Sequence, residues 1–165
     1  MSGEKRLLLC SDLDRTVIPN GVQPESSDAR PRFTRFCHRP EVTVVYVTGR
    51  HRELVEQAIE EYMLPVPDYA ITDVGTKIYH IRDGVWHELD EWLIEIDQDW
   101  RGKSAQQISQ LFAEINELTL QEDSKQNLHK LSYYVPLHVD EKPLLLQMEK
   151  LYQVLLHHWI ELDYY

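Results

Sequence analysis

The sequence predicts an α/β fold with a mainly parallel sheet and crossover helices. Three observations carry that expectation. Two short apolar runs, "LLLC" at residues 7–10 and "VTVVYV" at 42–47, each stop at a polar turn. Amphipathic stretches of helical period separate or follow them, and "KIYHIRDGVWHEL" reads as two alternating strands joined at Asp83-Gly84. Strands alternating with helices argue for a doubly wound sheet, whose ligand site lies beyond the carboxyl ends of its strands.

Each element has its own local reason. The unbroken Leu7-Leu8-Leu9-Cys10 run suits a parallel strand covered on both faces, over residues 6–11. Within 25–41, Phe33, Phe36 and Cys37 predict a short helix whose limits are blurred by Pro31 and Pro40. The β-branched run 42–47 is a second buried strand ending at Thr48-Gly49. Leu54, Val55, Ala58, Ile59 and Tyr62 then fall on one stripe of a helix, and "VPDYAITDVG" supplies a third strand after Pro67.

The pattern changes near residue 95, where a small α+β appendage is expected over 96–165, after a core at 1–95. Ser104 caps a helix whose stripe runs Ile108, Leu111, Phe112, Ile115 and Leu118. A polar loop, "QEDSKQNLH", leads to an alternating strand with Leu131, Tyr133 and Val135 on one face. A last helix is expected from 141 to about 158, with Leu144, Leu145, Met148, Leu151, Tyr152 and Leu155 on its stripe.

Composition narrows the function classes. The 165 residues are 42% hydrophobic, enough for a real core, and carry a net charge of −11. That charge argues against nucleic acid or an anionic membrane as partner, since both are bound by clustered positive charge. Two cysteines, Cys10 and Cys37, form no C-x-x-C or Cys/His cluster, which fits a reducing cytoplasm and predicts neither disulfide framework nor zinc site. The four-residue apolar run near the N-terminus is too short for a signal peptide or membrane span.

The chemistry concentrates at the ends of the first two strands. Asp12 and Asp14 follow the leucine run, where carboxylates are costly unless used. An aspartate there can attack a phosphoryl group, and a second acid two residues on can protonate the leaving oxygen and then activate water. Two acids facing a phosphate need a hard cation, which points to Mg²⁺. Thr48 and the Gly49 N–H, before the next helix, suit phosphoryl oxygens, and Arg50 adds charge. Alone, acids and threonines after strands are ordinary turn and cap residues; their order within an alternating pattern turns them into a candidate site.

"SDLDRT" and "YVTGR" resemble the first two motifs of the haloacid dehalogenase (HAD) superfamily of phosphatases. "PDYAITDVGTKIYH" and "QNLHKLSYYV" narrow the resemblance to its sucrose-phosphate phosphatase branch, which joins a Rossmann-like core to an α/β cap that binds sugar. The resemblance implies Asp12 as nucleophile, Asp14 as acid/base and backbone Mg²⁺ ligand, and Thr48 with Gly49 as phosphate binders. It places Gln126, Asn127 and Lys130 where the cap reaches sugar hydroxyls; a solvated loop and strand edge is the competing reading for these three. Arg15 stands where the branch usually has Asn, and Lys77 where a Glu usually follows "VGT".

The branch's later lysine helix, of K-G-x-A type, and its G-D-x-x-N-D acidic loop have no counterpart in these residues, so the resemblance implies an incomplete core. Such a core is expected to leave an unpaired strand edge and an uncovered apolar face, prone to self-association or to taking a partner. The leading expectation is an Mg²⁺-dependent sugar-phosphate phosphatase working through an aspartyl phosphate. The alternative is a catalytically incomplete module that binds a sugar phosphate or a glycosyltransferase. A receiver domain fits less well, because here both acids share one strand end.

Overall fold

The computed structural model of the chain describes residues 6–19, 21, 25–152 and 160–165. It divides into two compact units, Met1–Trp92 and Leu93–Tyr165. The first is built on a five-stranded sheet: β1 (Leu7–Ser11), β2 (Val42–Val47), β3 (Tyr69–Thr72), β4 (Lys77–Arg82) and β5 (Val85–Glu88), side by side in that order. β1, β2 and β3 run parallel, and β4 and β5 are antiparallel. Helix α1 (Ala29–Cys37) connects β1 to β2, and α2 (Arg52–Glu61) connects β2 to β3.

Crossovers that step the same way across a sheet must put their helices on the same face, given the right-handed preference. Accordingly Cys37 of α1 and Val55 and Ala58 of α2 pack with Val42, Val44 and Tyr46 of β2 in one core. The sheet is thus α/β as expected, with both crossover helices on one side rather than doubly wound. Full burial of a side chain such as Val55 contributes about 1.5–3 kcal/mol. Tyr46, also fully buried, donates its hydroxyl hydrogen to the Pro65 carbonyl at 2.9 Å, so its polar end is satisfied inside that core.

The leucine run differs from its expectation in one respect. β1 pairs only with β2 among the described residues, so it is an edge strand, and Leu7 and Leu8 are 46% and 63% exposed. Apolar content fitted for burial on both faces meets solvent there, since among the described residues no strand pairs with β1 beyond that edge. At the other side, Asp83 (φ 51°) and Gly84 (φ 75°) form a two-residue turn with both residues left-handed. That is the primed geometry that matches strand twist and that the Asp-Gly pair favours.

The second unit contains helix α3 (Asp90–Trp100), shared with the end of the first, then α4 (Ala105–Leu111), β6 (Thr119–Leu120), β7 (Leu131–Val135), α5 (Glu141–Tyr152) and β8 (Ile160–Tyr164). β7 is central, antiparallel to β6 and parallel to β8. Ser104 does cap α4. Its Oγ accepts from the Gln107 N–H at 3.3 Å, and Gln107 Oε1 accepts from the Ser104 N–H at 2.9 Å. α4 ends at Leu111, short of the expected stripe, and Phe112 and Ile115 reach the core from turns instead.

Leu131, Tyr133 and Val135 are buried together, as their alternation predicts. Helix α3 and strands β6 and β8 were not legible in the sequence. The expected helical residues 153–158, with Leu155, lie outside the described residues. Among the described residues, no helix is long and apolar enough to cross a membrane.

Candidate active site

The parallel register Ser11↔Tyr46 sets the ends of β1 and β2 level, so Asp12 and Thr48 leave adjacent strands at the same end of the sheet. The chain after β1 turns tightly: the N–H groups of Val17 and Ile18 both donate to the Leu13 carbonyl, at 3.1 and 2.8 Å. Leu13 is fully buried. Anchoring Leu13 inward leaves its neighbours Asp12 and Asp14 exposed. Asp12 Oδ2 accepts from the Thr16 hydroxyl at 3.3 Å.

Asp14 is held differently. Arg50 donates to it from Nε (2.9 Å to Oδ2) and Nη2 (2.7 Å to Oδ1), a two-bond fork. The hydrogen bonds from Arg50, foremost, hold the Asp14 carboxyl below its ordinary range, and the same contact raises Arg50. The backbone of Arg50 is fixed as well. Its N–H donates to Thr48 Oγ1 at 3.2 Å, and its carbonyl accepts from the Asp73 N–H at 2.9 Å. One arginine therefore ties together the ends of β1, β2 and β3.

Asp73 is a residue that the sequence reading did not single out. It is buried, accepts from the Thr72 hydroxyl at 2.8 Å, and opens a loop in which Asp73 (φ 54°) and Val74 (φ 53°) are both left-handed. A β-branched residue at positive φ is an outlier that surrounding contacts must enforce. Here Thr76 donates both its N–H and its hydroxyl hydrogen to the Asp73 carbonyl, and the Trp92 indole donates to the Gly75 carbonyl at 2.9 Å. The "TDVGT" run, a glycine turn ending an apolar strand, was the available signal.

Thr48 is buried, with its N–H donating to Ile71 O at 2.9 Å, while Gly49 is exposed. The exposed Asp12 carboxylate is a hard oxygen donor of the kind Mg²⁺ takes, and Mg²⁺ keeps most of its coordination for water and phosphate oxygens. The Asp14 carboxylate faces Arg50. Among the described residues, no cluster of three or more His, Cys, Asp or Glu side chains is placed to hold a metal.

Gln126, Asn127 and Lys130, the three candidate sugar contacts, belong to the second unit. Gln126 uses its whole amide on that unit's backbone: Nε2 donates to Gln121 O (3.1 Å) and Ser132 O (3.0 Å), and Oε1 accepts from Ser132 N–H (2.9 Å). Asn127 is half-buried, and its Oδ1 accepts from the His129 N–H at 2.9 Å. Lys130 is 1% exposed, beside the buried His129, whose Nε2 lies 3.1 Å from Asp97 Oδ1. Asn127 and Lys130 bridge through their backbones, so the three sit in one tight turn before β7.

An α/β sheet with paired aspartates after its first strand and Thr-Gly-Arg after its second defines a HAD-type phosphatase core. The chain belongs to the sucrose-6F-phosphate phosphohydrolase family, which matches residues 5–163. It is 51% identical over 145 residues to a protein of Nitrosococcus oceani named as a HAD-like hydrolase, covering 88% of this chain and 39% of that one. Sucrose-phosphatase 1 of Nicotiana tabacum is 31% identical over 139 residues, covering 82% of this chain and 31% of that protein. Glucosylglycerol-phosphate synthase of Pseudomonas anguilliseptica is 29% identical over 128 residues, which are 78% of this chain and 16% of the synthase. The chain thus spans well under half the length of these relatives.

Among solved structures, the sucrose-phosphatase of Synechocystis, bound to sucrose and phosphate, shares the fold with a TM-score of 0.69 at 22% identity. That match covers 90% of this chain and 57% of that one. A haloacid dehalogenase-like hydrolase of Bacillus subtilis follows at TM-score 0.58 and 18% identity, over 90% of this chain and 55% of that one.

Proposed function

We propose that this chain carries the nucleophilic half of an Mg²⁺-dependent sugar-phosphate phosphatase, with Asp12 as nucleophile and Asp14 as acid/base. The observation behind it is the exposed Asp12 carboxylate beside the Thr48-Gly49 turn, with Asp14 two residues on under the control of Arg50. An Asp12 oxygen bonds to phosphorus as the ester P–O bond breaks, and Asp14 gives its proton to the departing sugar oxygen. Asp14 then takes a proton from the water that attacks the aspartyl phosphate, releasing phosphate and restoring Asp12.

Asp14 can hold that proton only when Arg50 is drawn off its carboxylate. Incoming phosphoryl oxygens, which Thr48 Oγ1 and the Gly49 N–H would also contact, give the guanidinium an alternative partner of the same charge. The Asp12 carboxylate and Asp14 carbonyl would hold Mg²⁺, whose bound charge offsets the repulsion between carboxylate and phosphate. Asn127 is the group of the second unit assigned to sugar hydroxyls, with Gln126 and the buried Lys130 shaping its turn. Two free cysteines, Cys10 exposed and Cys37 buried, suit a cytoplasmic setting.

The test is phosphate release from sucrose 6-phosphate with Mg²⁺, in this chain and in any longer polypeptide that contains it. Asp12→Asn is expected to reduce release by on the order of a thousandfold or more. Unchanged turnover in that variant overturns the covalent route. A second reading, a sugar-phosphate-binding module within a larger enzyme, is supported by the partial match to a synthase. Calorimetric binding of sucrose 6-phosphate without release favours it.

A further inference from the structure

The chain's charge is distributed unevenly between two helices. α1 and the residues after it carry Arg30, Arg32, Arg35 and Arg39 with no acid between 29 and 40, in a chain whose net charge is −11. α3 carries Asp90, Glu91, Glu95, Asp97 and Asp99 with no base. In both helices the unpaired charge lies on the outer side. Cys37 of α1 faces the core, and Arg32, Arg35 and Arg39, spaced three and four residues apart, line an exposed stripe over Phe33 and Phe36. Ile96 and Trp100 of α3 are buried, which turns Asp90, Glu91 and Glu95 outward around Ile94, 68% exposed.

Arg30 is spent on Glu25 and the Val17 carbonyl, but the other three arginines are poorly used within the chain. Arg32 meets Asp28 at 3.5 Å with both side chains mostly in solvent, and Arg39 lies over the Phe36 ring at 5.2 Å. Arg35 is exposed and, among the described residues, the ion pairs of α1 are those of Arg30 and Arg32 alone. Such pairs contribute little where they stand.

We propose that the arginine stripe of α1 docks on the acidic face of α3 in a second copy of this chain. Phe36 and Ile94 would form the apolar centre, with arginines and carboxylates as the charged rim. The spacings agree. Arg32 and Arg35 are about 4.5 Å apart along the axis of α1, and Glu91 and Glu95 about 6 Å apart along that of α3, so two arginines and two acids can face one another along the contact. A protein surface with a few acids fits better than a polyanion, which the remaining negative charge repels along its length. Between two copies, each of net charge −11, the charges away from the contact lie beyond a Debye length of about 8 Å and are screened, while the close pairs persist; a polyanion keeps its charge dense along the whole contact. A single pair of helices is smaller than a standard interface, so the association is weak and concentration-dependent. This inference is independent of the phosphatase reading.

Sedimentation velocity across a wide concentration range, in buffer of physiological ionic strength, tests it, with far-UV circular dichroism confirming that each variant is folded. The unaltered chain is expected to self-associate. The double variants Arg32→Glu/Arg35→Glu and Glu91→Lys/Glu95→Lys are each expected to associate about tenfold more weakly or less. Their equimolar mixture is expected to regain association. Leu8→Lys, which alters the exposed edge of β1 and leaves both helices intact, is expected to change nothing. The proposal is overturned if the unaltered chain stays monomeric, if either reversed variant associates like it, if the mixture fails to recover, or if Leu8→Lys alone abolishes association.

Discussion

The guanidinium of Arg50 grips the Asp14 carboxylate through two hydrogen bonds of 2.9 and 2.7 Å, joining residues that leave the ends of two adjacent parallel strands. The proposed acid/base is thus held ionised at rest. On the phosphatase reading, phosphate would compete for the arginine before the acid takes up a proton, which would link substrate arrival to the protonation step.

That pair makes stability depend on pH in a defined direction. Arg50 lowers the folded Asp14 below its ordinary 3.8, so its contribution is present above that value and is lost as pH falls through the lower folded value. Arg50→Met removes the contribution. The variant should melt below the unaltered chain at neutral pH, with the gap narrowing below about pH 4. A constant gap in thermal melts from neutral to strongly acid buffer would contradict this.

Gln126 and Asn127 should separate in their effects. Gln126→Ala leaves the buried Ser132 backbone groups without their side-chain partners. It is expected to cost about 2 kcal/mol in urea denaturation. Asn127→Ala should cost less stability and, on the phosphatase reading, raise KM for sucrose 6-phosphate at nearly constant kcat. A Gln126→Ala protein with undiminished stability would show that its three hydrogen bonds do not hold the turn.

Val74 stores conformational strain at φ 53° while 38% exposed. Asparagine tolerates that backbone region, so Val74→Asn should stabilise the chain by about 1 kcal/mol. A lower melting temperature in this variant would mean that the valine side chain makes contacts worth more than the strain.

The exposed leucines at the edge of β1 predict a solubility effect. Leu8→Lys places a charge on an unpaired strand and should slow aggregation on heating, followed by light scattering, without lowering the melting temperature. Equal aggregation of both proteins would assign it to another surface.

Much of the first unit was legible in sequence because its signals are local. β-branched runs, a primed Asp-Gly turn and the helical stripe Leu54-Val55-Ala58-Ile59 each act over a few residues, and the structure forms each as expected. Ser104 and Gln107 were legible for the same reason. α3 was missed since its acids mask the Ile96-Trp100 stripe, and two-residue β6 and five-residue β8 exist only through pairing with β7.

By itself the sequence determined the α/β class, the strand-end positions of Asp12, Asp14 and Thr48, and the family to which the motifs lead. All of these follow from short-range periodicity and from residue chemistry. Only the tertiary structure decided that Arg50 is spent on Asp14, that Asp73 and its strained loop brace Arg50, and that Gln126 serves its own backbone. The same holds for β1 being an edge strand. Those outcomes depend on which strand ends lie side by side, and that is set by long-range pairing that no local pattern encodes.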